Sequence, residues 1–163
     1  MNELVQRIAE RLASRGAMLA TAESCTGGWA AQALTALAGS SNWFERGFVT
    51  YSNAAKEDML GVRPETLARH GAVSEETARE MALGALSHSR AAVALAITGI
   101  AGPGGGTRDK PVGTVCFAWA AGGGAPRSET RRFAGDREAV RRQSVERALV
   151  GVLELLDAEP RRP

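Results

Sequence analysis

The sequence predicts an α/β protein, a three-layer α/β/α sandwich built on a largely parallel, mixed sheet of about five strands. Helical and strand patterns alternate along the chain, which is typical of a sheet with helices on both faces. Residues 91–98 (AAVALAIT) are apolar at nearly every position, as in strands that are covered on both sides. The length of 163 residues fits a single domain over residues 1–163.

The first third of the chain predicts a helix, a strand, a helix and a second strand. Apolar residues recur at helical spacing near the N-terminus, between a cap at Asn2 and a stop at Gly16. A short apolar run predicts a buried strand at 17–22, and an Ala- and Leu-rich segment predicts a helix at 29–39. Residues 48–52 (FVTYS) combine β-branched and aromatic side chains, which favours a second strand.

Three helices are predicted before the next strand. Asn53 is expected to cap a short helix that contains Lys56. Pro64 is expected to open a second helix that stops near Gly71, because proline is favoured in a first turn and glycine just beyond a last one. Ser74 is expected to cap a longer helix whose Ala, Met and Leu residues supply the buried face.

The strand at 91–98 is followed by the Gly- and Pro-rich segment 99–111, which predicts an irregular loop. Strands are predicted at 112–120 and at 128–133, the latter as an edge strand. The short link between these two allows one antiparallel hairpin, and the other strands are expected to pair in parallel.

The C-terminal segment predicts a long helix from a cap at Asp136 to about Asp157, and the tail from about residue 158 is expected to be disordered. No window approaches the roughly 18 apolar residues that a membrane span needs. Charges interrupt the N-terminal segment where a signal peptide would be apolar. We therefore expect a cytoplasmic protein with no membrane partner.

Composition excludes several other classes of function. The net charge is +2, and acidic residues are interleaved with the basic ones, so no nucleic-acid partner is expected. Cys25 and Cys116 are the two cysteines, far fewer than a secreted disulfide framework requires, and with two histidines they provide few metal ligands.

The segment TAESCTGG places a serine where a predicted strand gives way to a helix. Ser24 is a candidate nucleophile there, with the amides from Cys25 to Gly28 able to stabilise an oxyanion. The alternative is that Ser24 or Thr26 only caps the helix. Cys25 is a rival nucleophile, although an ordinary cysteine is more often a small buried side chain.

The segment TYSNAAK offers a base for that serine. Lys56 can accept a proton if its amine is neutral near pH 7, which burial or a neighbouring cation such as Arg137 could achieve. Tyr51 lies at the end of the preceding strand pattern and completes a Ser-Lys-Tyr site. The alternatives are a solvated helix residue for Lys56 and a half-buried strand aromatic for Tyr51.

The loop TGIAGPGGG is the third candidate segment. It does not fit the dinucleotide-binding pattern, because Thr107 stands where the last glycine would fall, and it has no G-K-[ST] for a P-loop. Its amides from Gly99 to Ala101 and from Gly104 to Gly106 could still approach a phosphate closely. The alternative is a flexible turn. Because carboxyl ends of parallel strands meet at one edge, the three segments could share a pocket.

The sequence resembles the CinA C-terminal domain family, in particular its stand-alone PncC-type nicotinamide-nucleotide amidases, in six segments that occur in the family's order: AESCTGG, GFVTYSNAAKEDMLGV, GAVSEETAREMA, AITGIAGPGGG, KPVGTVCFAWA and FAGDREAVR. The resemblance covers roughly residues 4–155. It implies an α/β/α sandwich and hydrolysis of nicotinamide mononucleotide to nicotinate mononucleotide and ammonia, in the recycling of pyridine nucleotides. It implies no metal and no cofactor.

The resemblance also implies roles for single residues. Ser24 corresponds to the family's nucleophile, Lys56 and Tyr51 to its base and assisting hydroxyl, and Arg137 to an active-site arginine. The other positions expected to bind substrate lie in the same three segments: Cys25, Thr26, Gly27, Gly28, Asn53, Thr98, Gly99, Ile100, Ala101, Gly102, Gly104 and Gly105.

Other hypotheses stay open at this point. The domain could bind a nucleotide and regulate a partner without turnover, act on a different amide, or use Cys25 as its nucleophile. The apolar pair Trp43 and Phe44, expected to be exposed, together with the habit of the family, favours a homodimer. The pair could equally cover the core or line the pocket of a neighbouring subunit.

Overall fold

Strands and helices alternate along the chain in the computed structural model, which describes residues 1–159. A single 3-10 turn at Ser40–Asn42 precedes the second strand. The elements are α1 (Asn2–Ala13), β1 (Leu19–Glu23), α2 (Trp29–Thr35), β2 (Phe44–Val49), α3 (Asn53–Leu60), α4 (Pro64–His70), α5 (Glu75–Ser87), β3 (Val93–Gly99), β4 (Thr114–Ala121), β5 (Arg127–Arg132) and α6 (Arg137–Ala158).

The strands form one five-stranded sheet in the order β2-β1-β3-β4-β5. The predicted fold class is confirmed, and the sheet is mixed. β1 pairs in parallel with β2 and β3, whereas β4 is antiparallel to both β3 and β5. The antiparallel share is larger than the single expected hairpin. The loop between β3 and β4 contains no helix, and a parallel return generally needs a helical crossover.

Side chains of alternating size divide the sheet into two different faces. Leu95, Ile97, Phe117 and Trp119 point into a core shared with α1, α2 and α6. Intervening alanines of the same strands contact α3, α4 and α5 on the other face. Because successive strand residues point to opposite faces, the sequence pattern itself produces the two outer layers of the sandwich.

The small residues are needed where helices approach closely. A Cβ added to Gly151 of α6 would lie against the indole of Trp119, and one added to Gly84 of α5 would meet the backbone of Leu60. The Trp119 indole also donates a hydrogen bond to the Ala148 carbonyl at 2.8 Å. We expect larger side chains at these two glycines to push α6 and α5 away from their neighbours.

Two helix caps agree with the sequence and two differ. Ser74 and Asp136 accept hydrogen bonds from the amides of Thr77 and Ala139, as expected of N-caps. The predicted caps at Asn2 and Asn53 are wrong, because both residues are already the first of their helices.

Ser52 is the N-cap of α3, and its side chain accepts from the Ala55 amide. Both α2 and β2 also differ from their predicted bounds. α2 ends at Thr35 rather than Gly39, and β2 ends at Val49, so Tyr51 lies beyond the strand. β2 also begins at Phe44, before the predicted start at residue 48, and Phe44 pairs with Leu19 of β1.

The Trp43–Phe44 pair is not an exposed apolar patch. Trp43 is buried in the larger core cluster, its carbonyl accepts from the Leu19 amide at 2.8 Å, and Phe44 is half-buried against the same cluster. The exposure used to argue for a homodimer is therefore wrong. The predicted disorder of the tail concerns mainly residues 160–163, which lie outside the described residues, and α6 continues to Ala158.

No helix among residues 1–159 is long and apolar enough to cross a membrane.

Candidate active site

The candidate site lies at the carboxyl ends of the three parallel strands. Ser24 directly follows β1, the central one of the three, and its amide donates to the Ile97 carbonyl of β3 at 2.9 Å. On the other side, the Thr50 amide after β2 donates to the Glu23 carbonyl at 2.8 Å. The chain leaves β1 towards β2 and later returns on its other side to β3, so Ser24 sits at a topological switch point, where such sheets form crevices.

Ser24 and Lys56 are in direct contact. The Lys56 Nζ lies 3.0 Å from the Ser24 Oγ and 2.8 Å from the Thr50 carbonyl oxygen, to which it donates. Lys56 is 2% exposed and contacts no carboxylate within hydrogen-bond distance in residues 1–159. Burial lowers the pKa of Lys56 below the ordinary lysine value, because desolvation penalises the charged amine. A neutral lysine next to a serine is the pairing that activates a hydroxyl nucleophile.

Arg137 and Tyr51 form a second pair at the rim. The Arg137 guanidinium donates to the Tyr51 hydroxyl at 2.9 Å and to the Gly102 carbonyl at 2.8 Å. Tyr51 is 62% exposed and makes no hydrogen bond to Lys56 in the described part of the chain. Burial is the main cause of the lowered pKa of Lys56, and Arg137 contacts Tyr51 rather than Lys56.

A pocket of about 240 Å³ opens between these groups. It unites residues from the loops after β1, β2 and β3 and from the first turn of α6. Its lining consists of Ser24, Cys25, Tyr51, Gly99, Ile100, Ala101, Gly102, Gly104, Gly105 and Arg137. Lys56 lies beneath this lining, in contact with Ser24.

Five of the expected substrate-binding residues lie elsewhere. Thr26, Gly27 and Gly28 line an adjoining cavity of about 370 Å³ together with Trp29, Gln32 and Arg141. Asn53 is exposed in the first turn of α3 and lies outside both linings. Thr98 is buried, and its hydroxyl donates to the Ala72 carbonyl at 2.8 Å, so it ties β3 to the loop before α5.

Glu23 occupies the N-terminus of α2, where the sequence analysis considered a bound anion or oxyanion. Its fully buried carboxylate accepts hydrogen bonds from the amides of Ala30 and Ala31, at 2.8 and 3.1 Å, and from the Thr26 hydroxyl at 2.6 Å. The alternative that Ser24 or Thr26 caps α2 is therefore wrong. The first amides of this short helix are already satisfied, so they are not available to a substrate.

The turn after Ser24 supplies fewer amides than expected. The Gly27 amide donates to the Ser24 carbonyl at 3.0 Å and closes the turn. The amides of Cys25 and Thr26 donate no hydrogen bond to any group of residues 1–159. Because Thr26 is fully buried and only Cys25 lines the pocket, the Cys25 amide is the turn's candidate donor to an oxyanion.

The glycine-rich loop is similarly divided. The Ile100 amide donates to the Thr114 carbonyl at 2.9 Å, whereas the amides of Ala101, Gly104 and Gly105 have no partner within residues 1–159. Gly102 has a positive φ of 82°, and a Cβ there would come within 2.5 Å of the Val112 side chain. Glycine at 102 thus lets the backbone turn beside the pocket.

Cys25 is a poor nucleophile in this setting. It is 6% exposed, and burial raises the pKa of its thiol to about 12. The reactive form of cysteine is the thiolate, which is scarce at neutral pH under these conditions. This observation favours Ser24 over Cys25.

Sequence reasoning missed two residues that hold the turn. Glu23 is a carboxylate at the end of an otherwise apolar strand, next to the candidate nucleophile, and that placement was a usable signal. Arg141 follows Arg137 at helical i+4 spacing, which puts both on one face of α6, and its guanidinium donates to the Cys25 and Thr26 carbonyls.

A larger cavity of about 460 Å³ lies beside α5, between β4 and the loop before that helix. Several of its polar groups are already hydrogen-bonded. Glu75 accepts from Ser128 and Thr130, and Lys110 donates to the His70 carbonyl. It contains no contact equivalent to the one between Ser24 and Lys56, so chemistry favours the smaller pocket.

No cluster of three or more His, Cys, Asp or Glu side chains in residues 1–159 is arranged to hold a metal ion.

Known proteins resemble this chain over nearly its whole length. A family model described as the CinA C-terminal domain matches residues 1–156. The nicotinamide-nucleotide amidohydrolase PncC of Escherichia coli (strain K12) is 58% identical over 147 residues, which are 90% of this chain and 89% of that protein. The protein of the same name from Pseudomonas putida is 52% identical over 152 residues, 93% of this chain and 94% of its own.

A solved structure is similar to this chain in both fold and sequence. The competence/damage inducible protein CihA from Agrobacterium tumefaciens superimposes with a TM-score of 0.92 at 51% identity, and the match covers 96% of this chain and 94% of that one.

Proposed function

The chain belongs to the CinA C-terminal domain family, and from that premise we propose that it is a nicotinamide-nucleotide amidase. It hydrolyses the carboxamide of nicotinamide mononucleotide to nicotinate mononucleotide and ammonia. The names of the relatives from E. coli and P. putida support this substrate. One observation carries the chemistry: the buried Lys56 amine lies 3.0 Å from the Ser24 hydroxyl.

Acylation is the first half of the reaction. Burial lowers the pKa of Lys56, and in its neutral form the amine takes the proton of Ser24 while the Ser24 Oγ forms a bond to the carboxamide carbon. The carbonyl oxygen becomes an oxyanion, which the amide of Cys25, a residue of the pocket lining, stabilises. The C–N bond then breaks, and the lysine returns its proton to the leaving nitrogen, which departs as ammonia.

Deacylation repeats the same proton transfers with water. Lys56 takes a proton from water as the water oxygen attacks the acyl carbon, and it returns that proton to Ser24 as nicotinate mononucleotide leaves. Every proton is thus accounted for by one lysine and one serine. No metal or redox group takes part in this proposal.

Tyr51 and Arg137 bind the rest of the substrate at the rim. The Tyr51 hydroxyl accepts a hydrogen bond from Arg137, so its own proton remains for the substrate or for the departing ammonia. Because Tyr51 does not contact Lys56, any proton transfer between the two passes through bound substrate or water. The phosphate lies against the amides of Ala101, Gly104 and Gly105, near Arg137, which gives selectivity over free nicotinamide.

The test is ammonia release from nicotinamide mononucleotide, with the product identified by mass spectrometry, for the wild type, Ser24→Ala and Cys25→Ala. We expect turnover by the wild type and a rate for Ser24→Ala that is lower by at least about 10³-fold. The rate of Cys25→Ala should stay within about tenfold of wild type. Full turnover by Ser24→Ala would remove the serine assignment, and loss confined to Cys25→Ala would favour the cysteine mechanism.

Two other functions give different results in the same assay. A regulatory module would bind the nucleotide, measured by calorimetry, without releasing ammonia. An amidase for another substrate would neither bind nor hydrolyse it. The buried lysine beside Ser24 favours catalysis over both, because a binding module has no use for a buried amine whose pKa is lowered next to a hydroxyl.

A further inference from the structure

The pocket at Ser24 has one base for both halves of the reaction. Within residues 1–159 its lining includes no carboxylate and no histidine, and Lys56 lies beneath it, 3.0 Å from the Ser24 Oγ. The Lys56 Nζ also donates to the Thr50 carbonyl at 2.8 Å, so the amine is held in one place. The proton that leaves with ammonia and the proton that water gives up are therefore handled by the same atom.

The leaving group and the incoming nucleophile use the same side of the acyl carbon. During acylation, ammonia departs from the side that faces the Lys56 amine, because that amine protonates it. By microscopic reversibility, a nucleophile that gives its proton to Lys56 attacks from that side. The position that water takes in deacylation is therefore one that has just held an amine nitrogen.

The lining gives water no advantage over a small amine at this position. Besides Ser24 and the buried Cys25, its polar side chains are Tyr51 and Arg137, which bond to each other at the rim at 2.9 Å. Tyr51 is 62% exposed, so this rim is open to small solutes as well as to water. An uncharged amine is also the stronger nucleophile of the two at an acyl carbon.

Charge restricts the class of amine. Arg137 is the charged side chain of the lining, and the pyridinium ring of the proposed substrate carries a second positive charge. Both repel an ammonium group, which in addition has no lone pair with which to attack. The amines that fit are therefore small ones that stay unprotonated at neutral pH, and hydroxylamine is the simplest probe of this class.

We propose that the protein is also an acyltransferase: its Ser24 acyl-enzyme passes the acyl group to small unprotonated amines as well as to water. With hydroxylamine, the nitrogen forms a bond to the acyl carbon and gives a proton to Lys56. The bond between the acyl carbon and the Ser24 Oγ then breaks, and Lys56 returns the proton to Ser24. The product is the hydroxamate of nicotinate mononucleotide, and nothing is oxidised or reduced. The inference rests on the proposed function, because it starts from the same acyl-enzyme.

The first experiment incubates the wild type with nicotinamide mononucleotide and increasing concentrations of hydroxylamine, and it measures the acid and the hydroxamate by mass spectrometry. We expect the ratio of hydroxamate to acid to double each time the hydroxylamine concentration doubles, because two nucleophiles compete for one acyl-enzyme. Ser24→Ala should form no hydroxamate above the background of a sample without protein. Hydrolysis at the usual rate with no hydroxamate would overturn the inference and leave the proposed function in place.

A second substrate tests whether the acyl-enzyme is the donor. The methyl ester of nicotinate mononucleotide carries the same acyl group, with methanol as its leaving group. After subtraction of the uncatalysed reaction, both substrates should give the same ratio of hydroxamate to acid at one hydroxylamine concentration, because the leaving group has departed before the acyl group is partitioned. Different ratios would mean that hydroxylamine attacks the bound substrate directly, and they would overturn transfer from Ser24.

Methylamine provides a matched control for the nucleophile. It is similar in size to hydroxylamine, but it is protonated at neutral pH. We expect no N-methylamide above background at the same total concentration. Formation of the methylamide as fast as the hydroxamate would overturn the restriction to unprotonated amines.

The two substrates also separate this inference from the proposed function. Ammonia release without hydroxylamine tests the proposed function alone. A protein that leaves nicotinamide mononucleotide intact but forms both acid and hydroxamate from the methyl ester would overturn the proposed amide substrate and support acyl transfer. A protein that is inactive on both substrates would overturn both proposals.

Discussion

The pocket at Ser24 and the cavity beside α5 lie on the same sheet and differ in how their polar groups are paired. The cavity has about 460 Å³, against about 240 Å³ for the pocket. In the cavity, Arg79 and Glu75 both bond to Ser128, and Lys110 donates to a backbone carbonyl. Partly exposed charges that are hydrogen-bonded in this way are also solvated, so their burial costs little.

The polar groups at the pocket are more deeply buried: Lys110 of the cavity is only half-buried, whereas Lys56 is 2% exposed. Lys56 is buried without a carboxylate partner, and the amides of Cys25 and Thr26 make no bond to other groups in residues 1–159. Both features cost stability, since desolvation of an amine and of an N–H is unfavourable. The proposed reactive region is therefore the one in which the fold tolerates unfavourable burial, although its cavity is the smaller of the two.

Each of the two cavities has one of the two lysines of the chain beside it, and substituting each lysine by arginine should affect kcat very differently. Lys56→Arg should lower kcat about 10³-fold or more, because a guanidinium cannot lose its proton and act as the base. Lys110→Arg, at the larger cavity, should leave kcat within about twofold of wild type, since most surface substitutions are tolerated. Ammonia release by both purified variants is the measurement. An active Lys56→Arg variant would contradict the role of Lys56 as the base. An inactive Lys110→Arg variant would indicate that the larger cavity takes part in the reaction.

The sequence predicts the part of this picture that depends on local signals. Caps at Ser74 and Asp136 need only nearby amides, and the apolar runs of β3 and β4 mark strands wherever they pair. The antiparallel pairing of β3 with β4 depends on how the chain connects the two strands, and the apolar sequence of either strand does not encode it. For the same reason Trp43 could be recognised as apolar, but its burial depends on contacts with residues far along the chain.

The candidate site divides in the same way. Ser24, Lys56, Tyr51 and Arg137 stand in motifs and converge as expected, although Tyr51 pairs with Arg137 rather than with Lys56. Thr98, by contrast, lies in a motif yet turns its hydroxyl to the Ala72 carbonyl. A motif identifies the residues of a loop, whereas backbone carbonyls that compete for each hydroxyl are visible only in the fold.

The next effect compares two carboxylates, one beside each cavity. Glu23→Gln should lower the free energy of unfolding by about 3 kcal/mol, because an amide nitrogen then faces buried donors that lose their acceptor. Glu75→Gln, where the carboxylate is half-exposed and accepts from two hydroxyls, should cost about 1 kcal/mol. Urea denaturation of both variants measures the difference. Equal losses would mean that the turn at Ser24 is no more tightly built than the surface of the cavity.

The smallest effect concerns the stability cost of the buried amine itself. The pKa of Lys56 is lowered in the folded protein, so between that value and the ordinary lysine pKa the unfolded chain binds more protons, and wild-type stability rises with pH. Lys56→Met removes this titration. The variant should therefore have its largest stability advantage over wild type below the lowered pKa and should lose that advantage as pH rises towards the ordinary value. Ser24→Ala, which keeps the amine, should follow the wild-type pH dependence. Urea denaturation across pH measures the free energy of unfolding of each protein. A difference between Lys56→Met and wild type that stays constant with pH would show that burying this lysine carries no electrostatic cost. The contrast between the two cavities would then rest on geometry alone.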